Sequence, residues 1–372
     1  MMSVSSSDVC VIGGGVIGLA AAATLRDRGV DVACFERSGP GQGQSAGRTR
    51  QFRHRHGTPE LIDLAVRARQ GWLDWEERFG RTLLGSEGAV RAGGDPGELD
   101  ALRAAGVPAV ELDAERALTR FPIAAPTAQT LLWDPLAGAI RATSTLATLV
   151  NCIGSQLHRA EVTSIAVHAN GESIEVHTTA GVHRSVRCLV CAGAGTDRLV
   201  RPLGLDVHQE RQAHLRLAFR ARVRRSEPLP CFSDRSGAYG ELVYALSDLR
   251  DRYAVGLADV TTYPAVDDLA TDVSAGVDVS AQRARIIAYV RHALPGLDPE
   301  PVDELLRLTT TLPYHPEDGF EVWRDGPVVA VAGPNLFKFA PVLGERLAQA
   351  VSDEPKPIGS RSVASGGGRC QT

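Results

Sequence analysis

The sequence predicts an α/β fold with two domains, and three stretches of the chain indicate it. Residues 7–37 contain an apolar strand, closely spaced glycines, an Ala-rich helix and a second strand. Residues 186–200 form an apolar segment that contains further glycines, and residues 328–351 form a strand, a turn and a helix. A chain of 372 residues is long enough for one large or two ordinary domains, at roughly 150 residues each.

Composition excludes several classes of function. The formal net charge is -4, which gives no basic field for nucleic acid or for an anionic membrane. No apolar run reaches the roughly 18 residues that a membrane-spanning helix needs. The start, "MMSVSSS", has no basic segment followed by an apolar one. We therefore expect a cytoplasmic protein without nucleic-acid or membrane partners.

Cysteine and histidine patterns favour structural roles. The seven cysteines are scattered through apolar segments, which suits a reducing compartment better than a disulfide framework. Cys188 and Cys191 form a C-x-x-C pair, but the pair lies in an apolar run where buried thiols pack as hydrophobic groups. His54 and His56 lack an accompanying carboxylate or cysteine cluster. The sequence therefore predicts no metal site.

The N-terminal stretch carries a dinucleotide-binding pattern of the Rossmann type. The predicted strand at residues 9–12 leads into Gly13, Gly15 and Gly18, which permit a tight turn, close approach to a pyrophosphate and packing of the helix on the sheet. Glu36 ends the second strand at the distance expected for an acid that binds a ribose hydroxyl. That acid argues against NADP, and the motif leaves NAD and FAD open.

The segments that follow argue against a simple dehydrogenase, in which further βα units would come next. Residues 38–57 are rich in glycine and arginine and are predicted to be neither strand nor helix. An amphipathic helix is predicted to begin near Thr58, with Pro59 in its first turn and with Trp72 and Trp75 in the core. A long region of β-rich character comes after it.

Several separate stretches resemble one family. They are "GRTRQFRH" at residues 47–54, "DPLAGAIRATSTLATL" at 134–149, "LVCAGAGTDRLV" at 189–200, and "FKF" with "GERL" within 337–347. Together with the glycine motif they resemble the FAD-dependent D-amino-acid-oxidase superfamily, in particular its sarcosine oxidase and N-methyltryptophan oxidase branch. The resemblance covers roughly residues 8 to 350.

The resemblance implies a Rossmann-type FAD-binding domain interleaved with an antiparallel-sheet substrate domain. The implied FAD domain comprises residues 1–82, 142–208 and 320–352. The implied substrate domain comprises residues 83–141 and 209–319. Residues 353–372, rich in Pro, Gly and Ser, are expected to form a disordered tail.

The resemblance also implies which residues hold the cofactor, FAD. They are Gly13, Gly15, Val16, Ile17, Gly18, Glu36, Arg37, Ser45, Thr49, Arg50, Val162, Ala192, Gly193, Gly333, Leu336, Phe337 and Lys338. The family branch links FAD through a cysteine, and the corresponding position here is Thr310. We therefore expect noncovalent FAD.

The implied substrate is a small amine that bears a carboxylate, oxidised at its C–N bond to an imine by hydride transfer to flavin N5. Arg53 and Lys338 match the cations that hold the carboxylate, Arg50 is a further catalytic candidate, and Tyr244 is the candidate tyrosine on the substrate sheet. Lys338 is one of two lysines in the chain. Its phenylalanine neighbours predict an extended segment with the ammonium on the face opposite to them.

Three alanines depart from the family pattern. Ala254 stands where the family keeps its oxygen-activating lysine, and Ala46 and Ala258 stand where it keeps histidines. The electron acceptor is therefore O2 or another partner, with Lys338 or Arg50 as candidates for the missing role, and sarcosine is not the expected substrate.

Alternatives to an amine oxidase stay open. His214 and His315 are candidate bases, although a lone histidine is more often structural. The same carboxylate clamp would suit oxidation of a 2-hydroxy acid. Loss of the three family side chains would also fit a flavin-binding protein that has lost catalysis.

Overall fold

The structure, a computed structural model, describes most of the chain. The residues it describes are 5–125, 130–168, 173–223, 226–237, 242–249, 251–258, 261–263, 278–315 and 318–353. The expected disordered tail lies outside them, apart from Asp353.

The described residues contain both strands and helices. The strands are β1 (Ser5–Ile12), β2 (Val32–Glu36), β3 (Thr49–Phe52), β4 (Ala89–Ala92), β5 (Val110–Leu112), β6 (Leu131–Asp134), β7 (Gly138–Arg141), β8 (Leu157–Arg159), β9 (Val162–Val167), β10 (Ile174–Thr178), β11 (Gly181–Val190), β12 (Glu210–Arg220), β13 (Cys231–Asp234), β14 (Val243–Leu249), β15 (Arg252–Leu257), β16 (Thr261–Tyr263), β17 (Asp303–Thr311), β18 (Glu321–Asp325) and β19 (Val328–Ala332). The helices are α1 (Val16–Asp27), α2 (Pro59–Phe79), α3 (Glu98–Ala104), α4 (Ala114–Arg120), α5 (Ala142–Ile153), α6 (Thr196–Val200), α7 (Val279–Ala293) and α8 (Ala340–Ser352).

The first sheet has the strand order β18-β19-β11-β1-β2-β8, and β10 and β9 continue it from β11. Strand β1 runs parallel to both β11 and β2, and β19 runs parallel to β11. Successive residues of β1 are buried on opposite faces: Val9 and Val11 pack with the helices α1, α2, α5 and α8, whereas Cys10 and Ile12 pack in a second core. The carboxyl ends of these parallel strands therefore meet at one edge, where ligands bind in such sheets.

The second sheet has the order β16-β12-β15-β14-β13-β4-β6-β5, with β17 paired to β12. Its pairs are antiparallel except for β4 with β13. Leu215, Leu217 and Phe219 of β12 pack in a core with α7, so the alternating residues His214 and Arg216 point to the other face. That face borders the cavity described below. The exact domain bounds stay a prediction.

A two-stranded ribbon corrects one expectation from the sequence. Residues 38–57 were predicted to contain neither strand nor helix, but β3 lies within them and pairs antiparallel with β7. On β7, Gly138 also lies close to the Gly85 backbone, which a Cβ there would overlap. The ribbon fixes the start of the segment that carries Arg53.

The predicted helix at Thr58 is confirmed. Thr58 is the N-cap of α2, and its hydroxyl accepts a hydrogen bond from Leu61 N at 3.3 Å. Trp72 is fully buried and donates from Nε1 to the carbonyl of Lys338 at 2.8 Å, and Trp75 packs partly buried beside it. Helix α2 thereby supports the segment around Lys338 from behind.

Other segments follow the sequence patterns with shifted ends. The strand predicted within 186–200 is β11, which begins at Gly181 and ends at Val190, because Gly193 takes a positive φ of 56° and starts a 3₁₀ turn. Cys188 and Cys191 are buried thiols. Among the described residues, no helix is long and apolar enough to cross a bilayer, and no cluster of three metal-ligating side chains occurs.

Candidate active site

A cavity of about 310 Å³ lies where the two large sheets meet. Its wall is formed by the turns that follow β1, β2, β11 and β19, by the segment around β3, and by the face of the second sheet that lies away from α7. The predicted site residues that line it are Gly13, Gly15, Val16, Ile17, Glu36, Arg37, Ser45, Arg50, Arg53, Ala192, Gly193, Tyr244, Gly333, Leu336, Phe337 and Lys338. Sequence stretches more than 300 residues apart therefore build one site.

The glycine-rich turn has the geometry that its sequence predicts. Gly13 has a positive φ of 109°, and a Cβ there would overlap the carbonyl of Cys191. A Cβ at Gly18 would overlap the carbonyl oxygen of Gly13. Gly18 is therefore needed for helix α1 to start close to β1, although it does not itself line the cavity.

Glu36 is held in place at the end of β2. Its Oε2 accepts a hydrogen bond from Gly14 N at 2.8 Å, and its Oε1 accepts one from Ser38 N at 3.0 Å. The carboxylate thus lies in the cavity wall beside the glycine turn, and its binding of a ribose hydroxyl stays a prediction.

Arg50 stabilises the segment that precedes β3. Its guanidinium donates to the carbonyls of Thr49 at 2.8 Å, Gln44 at 3.1 Å and Ala46, and it lies 5.4 Å from the ring centre of Phe337. In the same segment, Ser45 Oγ accepts a hydrogen bond from Val16 N at 3.0 Å. The segment is thereby tied to the N-terminus of α1.

Arg53 and Lys338 meet at one carboxylate, that of Asp318. Arg53 Nη2 lies 2.7 Å and Lys338 Nζ 2.8 Å from Asp318 Oδ2, and Asn335 Nδ2 donates to Oδ1 at 2.8 Å. Lys338 is 4% exposed, so it is not a surface lysine. The predicted cation pair is therefore brought together at the cavity wall.

Burial and charge set the protonation states of this group, which we call the Asp318 cluster (Arg53, His56, Asp318, Asn335 and Lys338). Burial favours a raised pKa for Asp318, but Lys338 and Arg53 outweigh it and hold the pKa well below its usual value. His56 Nδ1 lies 3.2 Å from Asp318 Oδ2, yet burial and then Lys338 lower the pKa of His56 to about 3. His56 is thus neutral beside an ionised carboxylate.

Lys338 does not lie in the extended segment that the sequence predicted. Residues Leu336–Phe339 form a 3₁₀ turn, which Asn335 enters with a positive φ of 52°. The turn runs directly into α8, whose Pro341 has a ring that suits the first turn of a helix. In this tight geometry Lys338 is buried, and its Nζ lies 5.2 Å from the centre of the Phe339 ring.

The second sheet contributes the opposite wall, including Tyr244, His214, Arg216 and Ala258. The Tyr244 hydroxyl is buried and has no hydrogen-bond partner among the described residues. Arg216 Cζ lies 5.5 Å from the centre of the Tyr244 ring. Thr310, also in the wall, accepts a hydrogen bond at Oγ1 from Gln44 Nε2 at 3.0 Å.

Some predicted residues lie elsewhere. Thr49 and Val162 do not line the cavity, and Val162 is buried in the core of the first sheet. His315 lies outside the wall, with Nε2 3.4 Å from Glu321. Ala46 and Ala254 line a neighbouring cavity of about 660 Å³.

Sequence reasoning missed Asp318 and Arg216. Asp318 precedes Gly319 in a segment without obvious periodicity, so it gave little signal. Arg216 was open to detection, because it is a charged residue within the apolar stretch "HLRLAF", where alternation puts it on the face opposite to the leucines.

Comparison with solved structures finds the same fold in several amino acid oxidases and dehydrogenases. NikD, described as an unusual amino acid oxidase essential for nikkomycin biosynthesis, is 23% identical in its open form, with 97% of this chain and 98% of that chain covered and a TM-score of 0.82. L-proline dehydrogenase from P. horikoshii is 18% identical, with 96% of each chain covered and a TM-score of 0.77. Glycine oxidase from Geobacillus kaustophilus is 22% identical, with 95% and 96% covered and a TM-score of 0.74.

The family itself is assigned by sequence. No curated protein sequence matches the chain. The family model described as "FAD dependent oxidoreductase" matches residues 8–350, which include the glycine turn, the Asp318 cluster and the second sheet. The chain belongs to the DAO family of FAD-dependent oxidoreductases.

Proposed function

We propose that this enzyme oxidises the C–N bond of an amino or imino acid to an imine, with FAD bound noncovalently. The observation that carries the proposal is the meeting of Arg53 and Lys338 at the cavity wall. A guanidinium and an ammonium at one point form a suitable receptor for a substrate carboxylate. They would fix the carboxylate and thereby the position of the carbon that loses hydride.

The residues present fit FAD. The turn between β1 and α1 excludes side chains at Gly13 and Gly18, which leaves backbone N–H groups and the positive end of the helix for a pyrophosphate. Glu36 lies beside that turn, where it can bind a ribose hydroxyl. When bound, FAD supplies the two-electron acceptor of the reaction.

Two features support noncovalent binding. Thr310 provides a hydroxyl rather than a thiol in the cavity wall. Cys191 does line the cavity, but burial raises the pKa of its thiol far above the usual value. A thiol that stays protonated is a poor nucleophile, so we expect no thioether to the cofactor.

The cavity residues are suited to a substrate that loses hydride without a strong base. His56 is neutral and lies behind the cation pair, and Asp318 is engaged by Arg53, Lys338 and Asn335. Oxidation of a neutral amine needs a proton acceptor of modest strength at most. The burial of Lys338 also helps to exclude water from the carboxylate site.

Anaerobic reduction of the bound flavin tests the proposal. Panels of amino, N-methylamino and 2-hydroxy acids are mixed with the purified holoprotein, and bleaching of the flavin absorbance is followed. We expect bleaching by one of the amino or imino acids and release of the flavin by acid. Bleaching by hydroxy acids alone, or by none of the compounds, would overturn the proposed reaction. The rate of reoxidation in air then distinguishes an oxidase from a dehydrogenase.

A further inference from the structure

Arg216 is a buried cation in the cavity wall without an acidic partner among the described residues. It is 6% exposed, and its Nη1 donates to the carbonyl of Thr49 at 3.2 Å. Its Nε is buried and makes no hydrogen bond within the described part of the chain. A guanidinium stays charged at any physiological pH, so its burial needs compensation by an anion or by further acceptors.

Other buried arginines around the cavity have more hydrogen-bond acceptors for their guanidinium groups. Arg50 donates to three backbone carbonyls, and Arg91 forms two hydrogen bonds with Glu98, at 2.7 Å and 2.9 Å. Arg216 has one carbonyl and the ring of Tyr244. Among the described residues, Arg216 therefore has fewer hydrogen-bond acceptors than Arg50 or Arg91.

Tyr244 adds a second unsatisfied donor next to it. Its hydroxyl is buried without a partner among the described residues, and Gly256 leaves the space that its ring fills. Both residues project from the same face of the second sheet, where β12 and β14 flank β15. Arg53 and Lys338 belong to different segments, after β3 and after β19. The two pairs therefore come from different elements of the wall of one cavity.

We propose that Arg216 and Tyr244 form a second oxyanion-binding position, in addition to the carboxylate clamp of Arg53 and Lys338. A planar guanidinium and a hydroxyl are matched to a carboxylate or a similar small oxyanion. The oxyanion has two possible sources, a second carboxylate on the substrate or a free inorganic anion. The inference rests on the proposed function, because the clamp is assumed to hold the first carboxylate.

Binding to the wild-type holoprotein is the first test. Acetate, malonate, succinate, glutarate and nitrate are titrated, and the change in flavin absorbance is measured together with the heat of binding. If the substrate supplies the oxyanion, one dicarboxylate binds at least about tenfold more tightly than acetate, because a charged hydrogen bond contributes about 1.5–3 kcal/mol. If a free anion supplies it, nitrate binds to the acetate-saturated protein.

Variants assign the binding to these residues. Arg216→Gln should remove whichever effect the wild type shows, the dicarboxylate preference or the nitrate binding. Tyr244→Phe should weaken that effect severalfold. Both variants should keep the Kd of acetate within about twofold of the wild-type value. Arg120→Gln, an exposed arginine on α4, is the control and should change neither.

Each failure has its own signature. Acetate that does not bind to the wild type would overturn the proposed carboxylate clamp. If acetate binds, but no dicarboxylate binds more tightly than acetate and nitrate does not bind, the second position alone is overturned. This outcome needs only the wild-type protein, so it counts even if Arg216→Gln fails to fold. Unchanged binding in a folded Arg216→Gln protein would also overturn it.

Discussion

At the scale of single residues, the site depends on Asp318. This carboxylate accepts hydrogen bonds from Arg53 and Lys338 at one oxygen and from Asn335 at the other. It therefore holds two cations at a buried wall where their mutual repulsion would otherwise separate them. Under the proposed function, a substrate carboxylate would join an ion cluster that already contains a fixed anion.

Removing either cation should weaken carboxylate binding while the cofactor stays bound. We expect Arg53→Met and Lys338→Met to raise the Kd of acetate or of the substrate roughly a hundredfold, since a hydrogen bond to a charged group contributes about 1.5–3 kcal/mol. The measurement is titration of the holoprotein at the flavin absorbance band. Arg67→Met, at an exposed position on α2, is the control. Normal carboxylate affinity in both cavity variants would place the substrate elsewhere.

Asp318→Asn should destabilise the protein strongly. The amide leaves Arg53 and Lys338 without their shared anion, and breaking a buried ion pair costs about 3–5 kcal/mol. Thermal unfolding of the holoprotein checks this. The control is Asp95→Asn, which removes an exposed carboxylate 3.4 Å from Arg55. It should lower the free energy of unfolding by about 1 kcal/mol or less. Equal stability of Asp318→Asn and wild type would show that the cluster is not a stabilising unit.

His56 gives a dependence of stability on pH. Its folded pKa is about 3 against 6.5 when unfolded, so below pH 6.5 the unfolded chain binds a proton that the folded chain does not. Stability is therefore lost as pH falls. The free energy of unfolding of the wild type, relative to that of His56→Gln, should fall by about 3 kcal/mol between pH 7 and pH 4. Urea unfolding midpoints of the two holoproteins measure it, and a pH-independent difference would contradict a neutral buried His56.

Single residues also show what sequence patterns can reveal. Gly13 and Glu36 were predicted from a motif of fixed spacing, and Arg53 and Lys338 from the resemblance to a family. Asp318 was not, because its partners come from segments 20 and 265 residues away in the chain. Contacts of that kind depend on how the two sheets come together, which local patterns do not encode.

At the scale of elements, the turn between β1 and α1 tolerates little change. Gly18→Ala places a methyl group on the Gly13 carbonyl and should push α1 away from the strand, with loss of FAD. The measurement is the flavin content of the purified variant. Gly29→Ala, where an added Cβ meets nothing within 4 Å, has a strained positive φ of 78° but should keep its flavin. Full flavin content in Gly18→Ala would contradict the close approach.

Elements were predicted best where periodicity is strong. Helix α2 follows from its cap, its proline and its apolar face, and β1 from its apolar run. Strand β3 and the turn at Leu336–Phe339 were not predicted. The first is stabilised by pairing with β7 and the second by the positive φ of Asn335, so both depend on partners or backbone geometry that short patterns do not specify.

At the scale of the whole molecule, helices α1 and α8 are in close contact. Gly344 of α8 lies against Ala20 of α1 so tightly that an added Cβ would come within 2.9 Å of the Ala20 side chain. The family match over residues 8–350 fits this arrangement, because the segments of one site lie near both limits of that range.

The contact between α1 and α8 has a consequence for synthesis. A nascent chain makes the glycine turn early, but the strand β19, Lys338 and the helix that packs on α1 are made only after the second sheet. We therefore expect tight capture of the cofactor only after α8 has been made. Until then the apolar face of α1 that α8 will cover is bare, and we expect ribosome-bound intermediates of this protein to depend on chaperones more than on flavin.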